Sequence, residues 1–389
     1  MFNTARYILI ILIFTIFLGC KKSETNPNPP DPPNPPEVDS MFYTGMDLSY
    51  QPFLEDYALD YKDINGNSVG NLLTFVKNNG INLIRIRLFH TPDPGDAIVY
   101  SSNLDEVIKY CKQIKQSGNN IMLDIHYADT WADPGHQAIP AAWDGLNFDA
   151  LNDSVYNYTK FVLNKLKSEN ALPKIVQIGN ETNSGFLWDH GKVWNEFNDN
   201  WPNYVALINS ASKAISEVAN ESGEKIKSMV HVAGVLQASG FFTKLKENGA
   251  QYDMIGLSHY HNFHSKDLIA VQNSLNYLAN TFHKPIMIVE TQYPFTLGWN
   301  DWTHNVVGLE EHLITGYPET PEGQKAYFEN LIEMMKKVPD RLGVGFIWWA
   351  PDLVAFDGPQ SANGSSRENL CVFDFDNKAL PVFKVFNEK

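Results

Sequence analysis

Eight short apolar runs recur along residues 41–389, each of strand length and most of them rich in β-branched side chains. They span Thr44 to Leu48, Leu83 to Phe89, Ile121 to Ile125, Ile175 to Ile178, Ser228 to Ala233, Met254 to Ser258, Ile286 to Val289 and Val344 to Trp349. Helical stripes or long loops separate them. Leu72, Leu73, Phe75 and Val76 lead to Asn78-Asn79-Gly80; Val107, Ile108 and Ile114 lead to Gly118; Val162, Leu163 and Leu166 lead to Pro173. Each is an apolar face at helical spacing closed by a stop signal. Strands that read as nearly continuous apolar runs are buried on both faces, and their alternation with helices favours a parallel sheet clad by helices. A count of eight favours closure into a single α/β domain, a (β/α)₈ TIM barrel with extended βα loops. The open doubly wound alternative lacks support, because no Gly-rich phosphate-binding fingerprint follows any strand.

Polar residues gather just after the apolar part of many runs: Asp47, Arg87, His126, Asn180 with Glu181, His259 with Tyr260, and Glu290. In a barrel these positions form the C-terminal rim, where active sites are built. A scaffold alone has no need for so many ionisable groups there, since each is costly to desolvate without a partner. Glu181 and Glu290 each close a strand-like run. Two facing carboxyl groups can protonate a glycosidic oxygen and attack an anomeric carbon, so the pair points to glycoside hydrolysis.

The first 40 residues have a different character. Tyr7 to Leu18 is an apolar stretch following Arg6, too short for the roughly 20 residues that span a bilayer, and it reads as an export signal over residues 1–19. Leu18-Gly19-Cys20 resembles the lipobox of bacterial lipoproteins, which makes Cys20 the expected lipid attachment site. Residues 20–40 then form a linker whose segment Asn26 to Pro36 is too Pro-rich for a helix or central strand and reads as a stiff stalk. The expected location is the cell envelope of a bacterium, lipid-anchored at the outer membrane and facing the surface, with contact to the membrane through the anchor only. Cys111 and Cys371 are the other cysteines; Cys111 reads as a small buried hydrophobe, with a disulfide between the two left open. The formal net charge of -15 repels phosphate backbones and argues against nucleic acid as a partner.

Several segments carry a resemblance to a known family. They are Gly45-Met46-Asp47-Leu48-Ser49, Ile84-Arg85-Ile86-Arg87-Leu88, Asp124-Ile125-His126-Tyr127-Ala128-Asp129-Thr130-Trp131-Ala132-Asp133-Pro134, Ile178-Gly179-Asn180-Glu181 and Val289-Glu290-Thr291. From about Gly45 to the C-terminus the chain resembles glycoside hydrolase family 53, the endo-β-1,4-galactanases acting on galactan and type I arabinogalactan. The resemblance implies a retaining mechanism, with Glu181 as acid/base on the fourth strand and Glu290 as nucleophile on the seventh. It further implies that Asn180 bonds the sugar 2-hydroxyl, that Tyr260 orients Glu290, that Arg87 holds the nucleophile's charge and that His126 contacts the same sugar. Trp349 becomes the floor beneath that sugar, with Trp131 and Trp188 as stacking platforms further along. The polysaccharide is then the partner, the protein a monomer, and no cofactor is implied.

Two departures from the family pattern stand out. Strand eight ends Trp348-Trp349-Ala350-Pro351 where a Glu is common before the Pro, and strand six carries His259-Tyr260-His261 where Tyr-Tyr-Pro is common. Some bacterial members bind calcium after strand seven, but residues 295–307 offer only Asp301 as a carboxylate, so no metal is expected there, although calcium is not excluded. Three other readings remain: a metal-dependent barrel hydrolase using His126, Asp129, His259, His261 and His264, a retaining hydrolase of another β-linked plant polysaccharide, and a surface lipoprotein that binds glycan without cleaving it.

Overall fold

The structure, a computed structural model, describes residues 41–194 and 199–387. The leader, Cys20 and the Pro-rich linker lie outside the described residues. Eight parallel strands close in sequence order: β1 (Tyr43–Asp47), β2 (Leu83–Leu88), β3 (Asn120–Ile125), β4 (Ile175–Ile178), β5 (Lys227–Ala233), β6 (Met254–Ser258), β7 (Ile286–Thr291) and β8 (Gly343–Trp349). Register runs from Leu83↔Asn120 between β2 and β3 to Asp47↔Trp349 where β8 meets β1. Each strand leads to a helix on the outside, among them Leu72–Asn78, Leu104–Gln116, Phe148–Ser168 and Pro321–Lys336. The expected strands and helices are present, with ends shifted by a residue or two and the helix before Pro173 starting as early as Phe148.

Period-2 alternation sorts the strand residues into two cores. Tyr43, Leu83, Met122, Ile175, Met229, Met254, Met287, Val289, Val344 and Ile347 fill the barrel lumen. Ile84, Ile86, Ile121, Leu123, Val176, Val230, Ile255 and Ile288 face outward and pack with the helices. One step above the lumen floor, the same inward face carries polar residues: Arg85, Asp124, Gln177, His231 and Ser258, all buried. Apolar base and polar upper layer therefore follow from one alternation read along each strand.

Two irregularities break that alternation where chemistry needs it. On β7 the lumen residues are Met287 and Val289, so Glu290 should point outward with Ile286 and Ile288. Register instead steps from Leu257↔Ile288 to Ser258↔Glu290, leaving Val289 as the extra residue of a bulge that turns Glu290 to the barrel mouth. On β8 Gly345 has φ +149, and a Cβ there would lie 2.1 Å from the Tyr43 carbonyl oxygen, so only glycine allows that strand to shift its register.

Cys111 and Cys371 are both buried and free, which closes the question of a disulfide between them. Asp301, the lone carboxylate of residues 295–307, accepts backbone N–H bonds from Thr303 (2.6 Å) and Ser365 (2.8 Å). Glu368 from the loop after β8 accepts from Asn300 at 2.5 Å, so these two acids staple the loops together.

Candidate active site

A cleft of about 530 Å³ opens at the C-terminal mouth of the barrel, and both glutamates line it. Beyond β4, Gly179 (φ +73) and Glu181 (φ +46) take left-handed backbone, which swings Asn180 and Glu181 into the cleft. A Cβ at position 179 would also meet Thr182 Cγ2 at 2.6 Å. Glu290 is 6 % exposed; its Oε1 forms an ion pair with Arg85 Nη2 at 2.9 Å, and its Oε2 accepts a hydrogen bond from Tyr260 Oη at 2.8 Å.

Arg85 organises the floor of the cleft. Its guanidinium meets Asp47 Oδ2 (2.7 Å), Asp124 Oδ2 (2.8 Å) and Glu290, and also donates to Asn180 Oδ1 at 3.0 Å. Burial alone would lower its pKa, but Asp124, Glu290 and Asp47 outweigh that and raise it, so the cation is permanent.

The two glutamates differ in protonation. Burial, and then the charge of Glu290, push the Glu181 carboxyl from about 4.5 up to about 8, against smaller opposing effects of Ser258 and Arg85. Burial raises Glu290 as well, with Asp124 and Asp47 adding to it, while Arg85 and the Tyr260 hydroxyl limit the rise. The Arg85 ion pair and the Tyr260 hydrogen bond make Glu290 the member that carries the shared negative charge, and Glu181 the one that holds the proton, which matches an acid beside a nucleophile.

The remaining expected residues fall into three groups. Tyr260 lies where it was expected, donating to Glu290. Asn180, His126, Trp131 and Trp349 line the cleft. Both His126 nitrogens are occupied, Nδ1 accepting from Ala132 N (3.1 Å) and Nε2 lying 3.0 Å from Asp124 Oδ2. The expected sugar contact therefore has no free ring nitrogen to use. Trp349 carries the Arg367 guanidinium 4.3 Å from its ring centroid.

Two expectations need correction. Arg87 does not hold Glu290; that partner is Arg85. Both arginines face inward by alternation, but Arg87 stands one step higher, above the carboxylates, with its guanidinium between the rings of Tyr50 (4.4 Å) and Trp131 (4.0 Å) and its Nε donating to Ser102 Oγ. Trp188 stands apart from the residues that line the cleft. Its indole donates to the Ser184 carbonyl, and Lys192 Nζ sits 4.0 Å from its ring centroid, which leaves it tied within the loop after β4.

Residues missed in the sequence include Arg85, Asp124, Gln177, His231, Ser258, Tyr50, Phe263 and Arg367. The first five share the lumen face of their strands, so alternation could have found them; the last three sit on loops, where no periodicity marks them. Among the described residues no group of three His, Cys, Asp or Glu side chains is placed to hold a metal ion. His259 and His261 are buried and driven to about 4 and about 3 by burial first, so both are neutral.

Comparison with known proteins adds the lineage. The arabinogalactan endo-β-1,4-galactanase of Cellvibrio japonicus is 36% identical over 350 residues, covering 89% of this chain and 90% of that protein. The GH53 catalytic domain of Ignisphaera aggregans superposes with a TM-score of 0.81 at 31% identity, covering 90% of this chain and 97% of that one. One of two fungal β-1,4-galactanases superposes with a TM-score of 0.76 at 31% identity, covering 90% of this chain and 100% of that one. The model of Glycosyl hydrolase family 53 matches residues 43–386, nearly the whole barrel, and the chain belongs to that family of glycoside hydrolases.

Proposed function

We propose that this enzyme is a retaining endo-hydrolase of β-1,4-galactosidic bonds in galactan and type I arabinogalactan, with Glu290 as nucleophile and Glu181 as acid/base. The observation that carries the reading is the unequal pair: one carboxyl kept protonated near neutral pH, the other ionised and fixed by Arg85 and Tyr260, both in one open cleft. The galactanase of Cellvibrio japonicus and the fungal β-1,4-galactanases support this substrate class.

In the first step Glu290 attacks the anomeric carbon while Glu181 gives its proton to the departing oxygen. A glycosyl ester forms on Glu290, and its negative charge is lost. Glu181, no longer facing the charge of Glu290, is more stable as a carboxylate and takes a proton from the water that releases the sugar. Asn180 and Trp349 flank the reacting ring. A cleft open at the barrel mouth accommodates a chain running past both glutamates, which favours internal cleavage.

Incubation with pectic β-1,4-galactan should release reducing ends with an early fall in viscosity, and proton NMR should show product first in the β configuration. An inert enzyme on galactan that cleaves another β-linked glucan or mannan would overturn the substrate; first-formed α product would overturn the mechanism. We also place the enzyme at the bacterial envelope, held through acylated Cys20 on the Pro-rich stalk. Cys20→Ser should then move it from the membrane to the soluble fraction.

A further inference from the structure

Behind Glu181 runs a chain of hydrogen bonds that a two-carboxylate reaction does not by itself require. Ser258, the last residue of β6, places Oγ 2.5 Å from Glu181 Oε1 and 2.8 Å from His231 Nε2. His231, on β5, is fully buried. Its Nδ1 faces the Glu181 backbone N–H at 3.3 Å and the Gln177 amide nitrogen at 3.0 Å, whose two hydrogens are divided among Asp124 Oδ1 (2.6 Å), Gly179 O, Asn180 Oδ1 and this ring. Asn180 Oδ1 also lies 3.2 Å from that nitrogen, but it is claimed by Arg85 Nη2 and Gln177 Nε2.

The Glu181 backbone N–H, which can only donate, selects the tautomer. An Nδ1 that accepts leaves the ring proton on Nε2, where its one partner is Ser258 Oγ. The serine then has a single direction in which to send its own proton, toward Glu181 Oε1. Burial first, and then the Arg85 charge, hold His231 neutral, so it cannot become a cation and reverse the order. The bonds run from His231 Nε2–H to Ser258 Oγ, and from Ser258 Oγ–H to Glu181 Oε1.

An oxygen that already accepts a short hydrogen bond is the poorer site for the carboxyl proton. The catalytic proton therefore resides on Oε2, the oxygen left for substrate. We propose that Ser258, oriented by His231, is a positioning residue that selects which oxygen of Glu181 exchanges protons with substrate and supports its carboxylate in the second half-reaction. The inference rests on the acid/base role given to Glu181. The serine donates to Oε1 throughout, so it favours the ionised form that must accept a proton from water. Glu181 is also faced by Glu290 from β7, Arg85 from β2 and Asp133 from the loop after β3, and none of these changes when the serine hydroxyl is removed.

The test is Ser258→Ala in the full chain, assayed on β-1,4-galactan across pH. Loss of a donor to the carboxylate should move the alkaline limb of kcat/KM upward by roughly half to one pH unit. Deglycosylation should slow, so kcat at pH 7 should fall about tenfold while kcat/KM stays within about threefold, because the acid form is still present. Intact-mass spectrometry of quenched enzyme should then show the glycosyl ester on Glu290 accumulating. Ser258→Thr, which keeps the hydroxyl, should restore the wild-type profile. Ser258→Cys, a weaker donor of similar size, should show the same shift in smaller degree and carries the test if the alanine variant does not fold. A superimposable pH profile with no trapped ester in an active, folded Ala or Cys variant overturns the inference. Wild-type enzyme inert on galactan defeats the proposed function instead.

Discussion

Glu290 and Glu181 end strands β7 and β4 of one barrel, yet they are held in opposite ways. Glu290 has a cation and a phenol hydroxyl on its two oxygens and is almost completely buried. Glu181 has one neutral hydroxyl, no contacting cation among the described residues, and a carboxylate neighbour. The dense wiring stabilises charge and the sparse wiring discourages it, so two identical side chains acquire opposite protonation near neutral pH. Partners, rather than residue type, assign the roles.

That contrast is broken most severely at the nucleophile. Glu290→Gln keeps the shape and both hydrogen-bonding neighbours, but an amide cannot form the ester, so kcat/KM on galactan should fall by at least about 10⁴-fold. Oligosaccharide binding, read by calorimetry, should survive. Residual turnover near wild type would transfer the nucleophile's role elsewhere. Glu181→Gln should cost less, on the order of 10² to 10⁴-fold. Its defect should shrink on aryl glycosides whose leaving groups need no proton, whereas an equal loss on both substrates would argue against an acid at this position.

Arg85 and Arg87 sharpen the same comparison. Arg85→Met leaves Asp47, Asp124 and Glu290 buried together without their cation, and breaking such a network costs about 3 to 5 kcal/mol of stability. Urea unfolding should show that loss, with activity nearly abolished. Arg87→Met removes contacts with Tyr50, Trp131, Phe89 and Ser102 but no ion pair with the catalytic carboxylates, and should cost roughly 1 to 2 kcal/mol. Equal losses in the two variants would return Arg87 to the role that sequence reading gave it.

The confusion between those arginines shows where legibility ends. Alternation along Leu-Ile-Arg-Ile-Arg-Leu places both on the lumen face, and strand-end position favours the later one. Depth decides instead, and depth depends on how eight strands are staggered against one another, which no single strand reveals. Glu290 teaches the same lesson from the other side. Its place at the strand end was readable, but strict alternation from Met287 would have turned it outward, and the bulge at Val289 is a property of the pairing between β6 and β7. His231 and Ser258 are ordinary inward residues until Glu181 is known to touch both of them. Trp188 was chosen for its residue type and loop position, and local bonds to Ser184 and Lys192 settled it elsewhere. Architecture was legible because apolar periodicity repeats eight times; the wiring was not, because each link joins residues far apart in sequence.

A pH-dependent effect on stability tests the protonation contrast without any substrate. A carboxyl raised from about 4.5 to about 8 on folding contributes stability that is fully present below pH 4.5 and is lost as pH rises to 8, because the unfolded chain releases a proton the folded one retains. Glu181→Gln removes this dependence. Relative to the variant, wild type should therefore lose stability progressively between pH 4.5 and 8, by on the order of 2 kcal/mol once partial solvent access is allowed for, and the gap should stay constant above pH 8. Urea midpoints of the two proteins at pH 4, 6, 7 and 9 measure it. A gap that does not change with pH would mean that Glu181 is already ionised in the resting enzyme, and the difference between the two glutamates would then have to arise only when substrate enters the cleft.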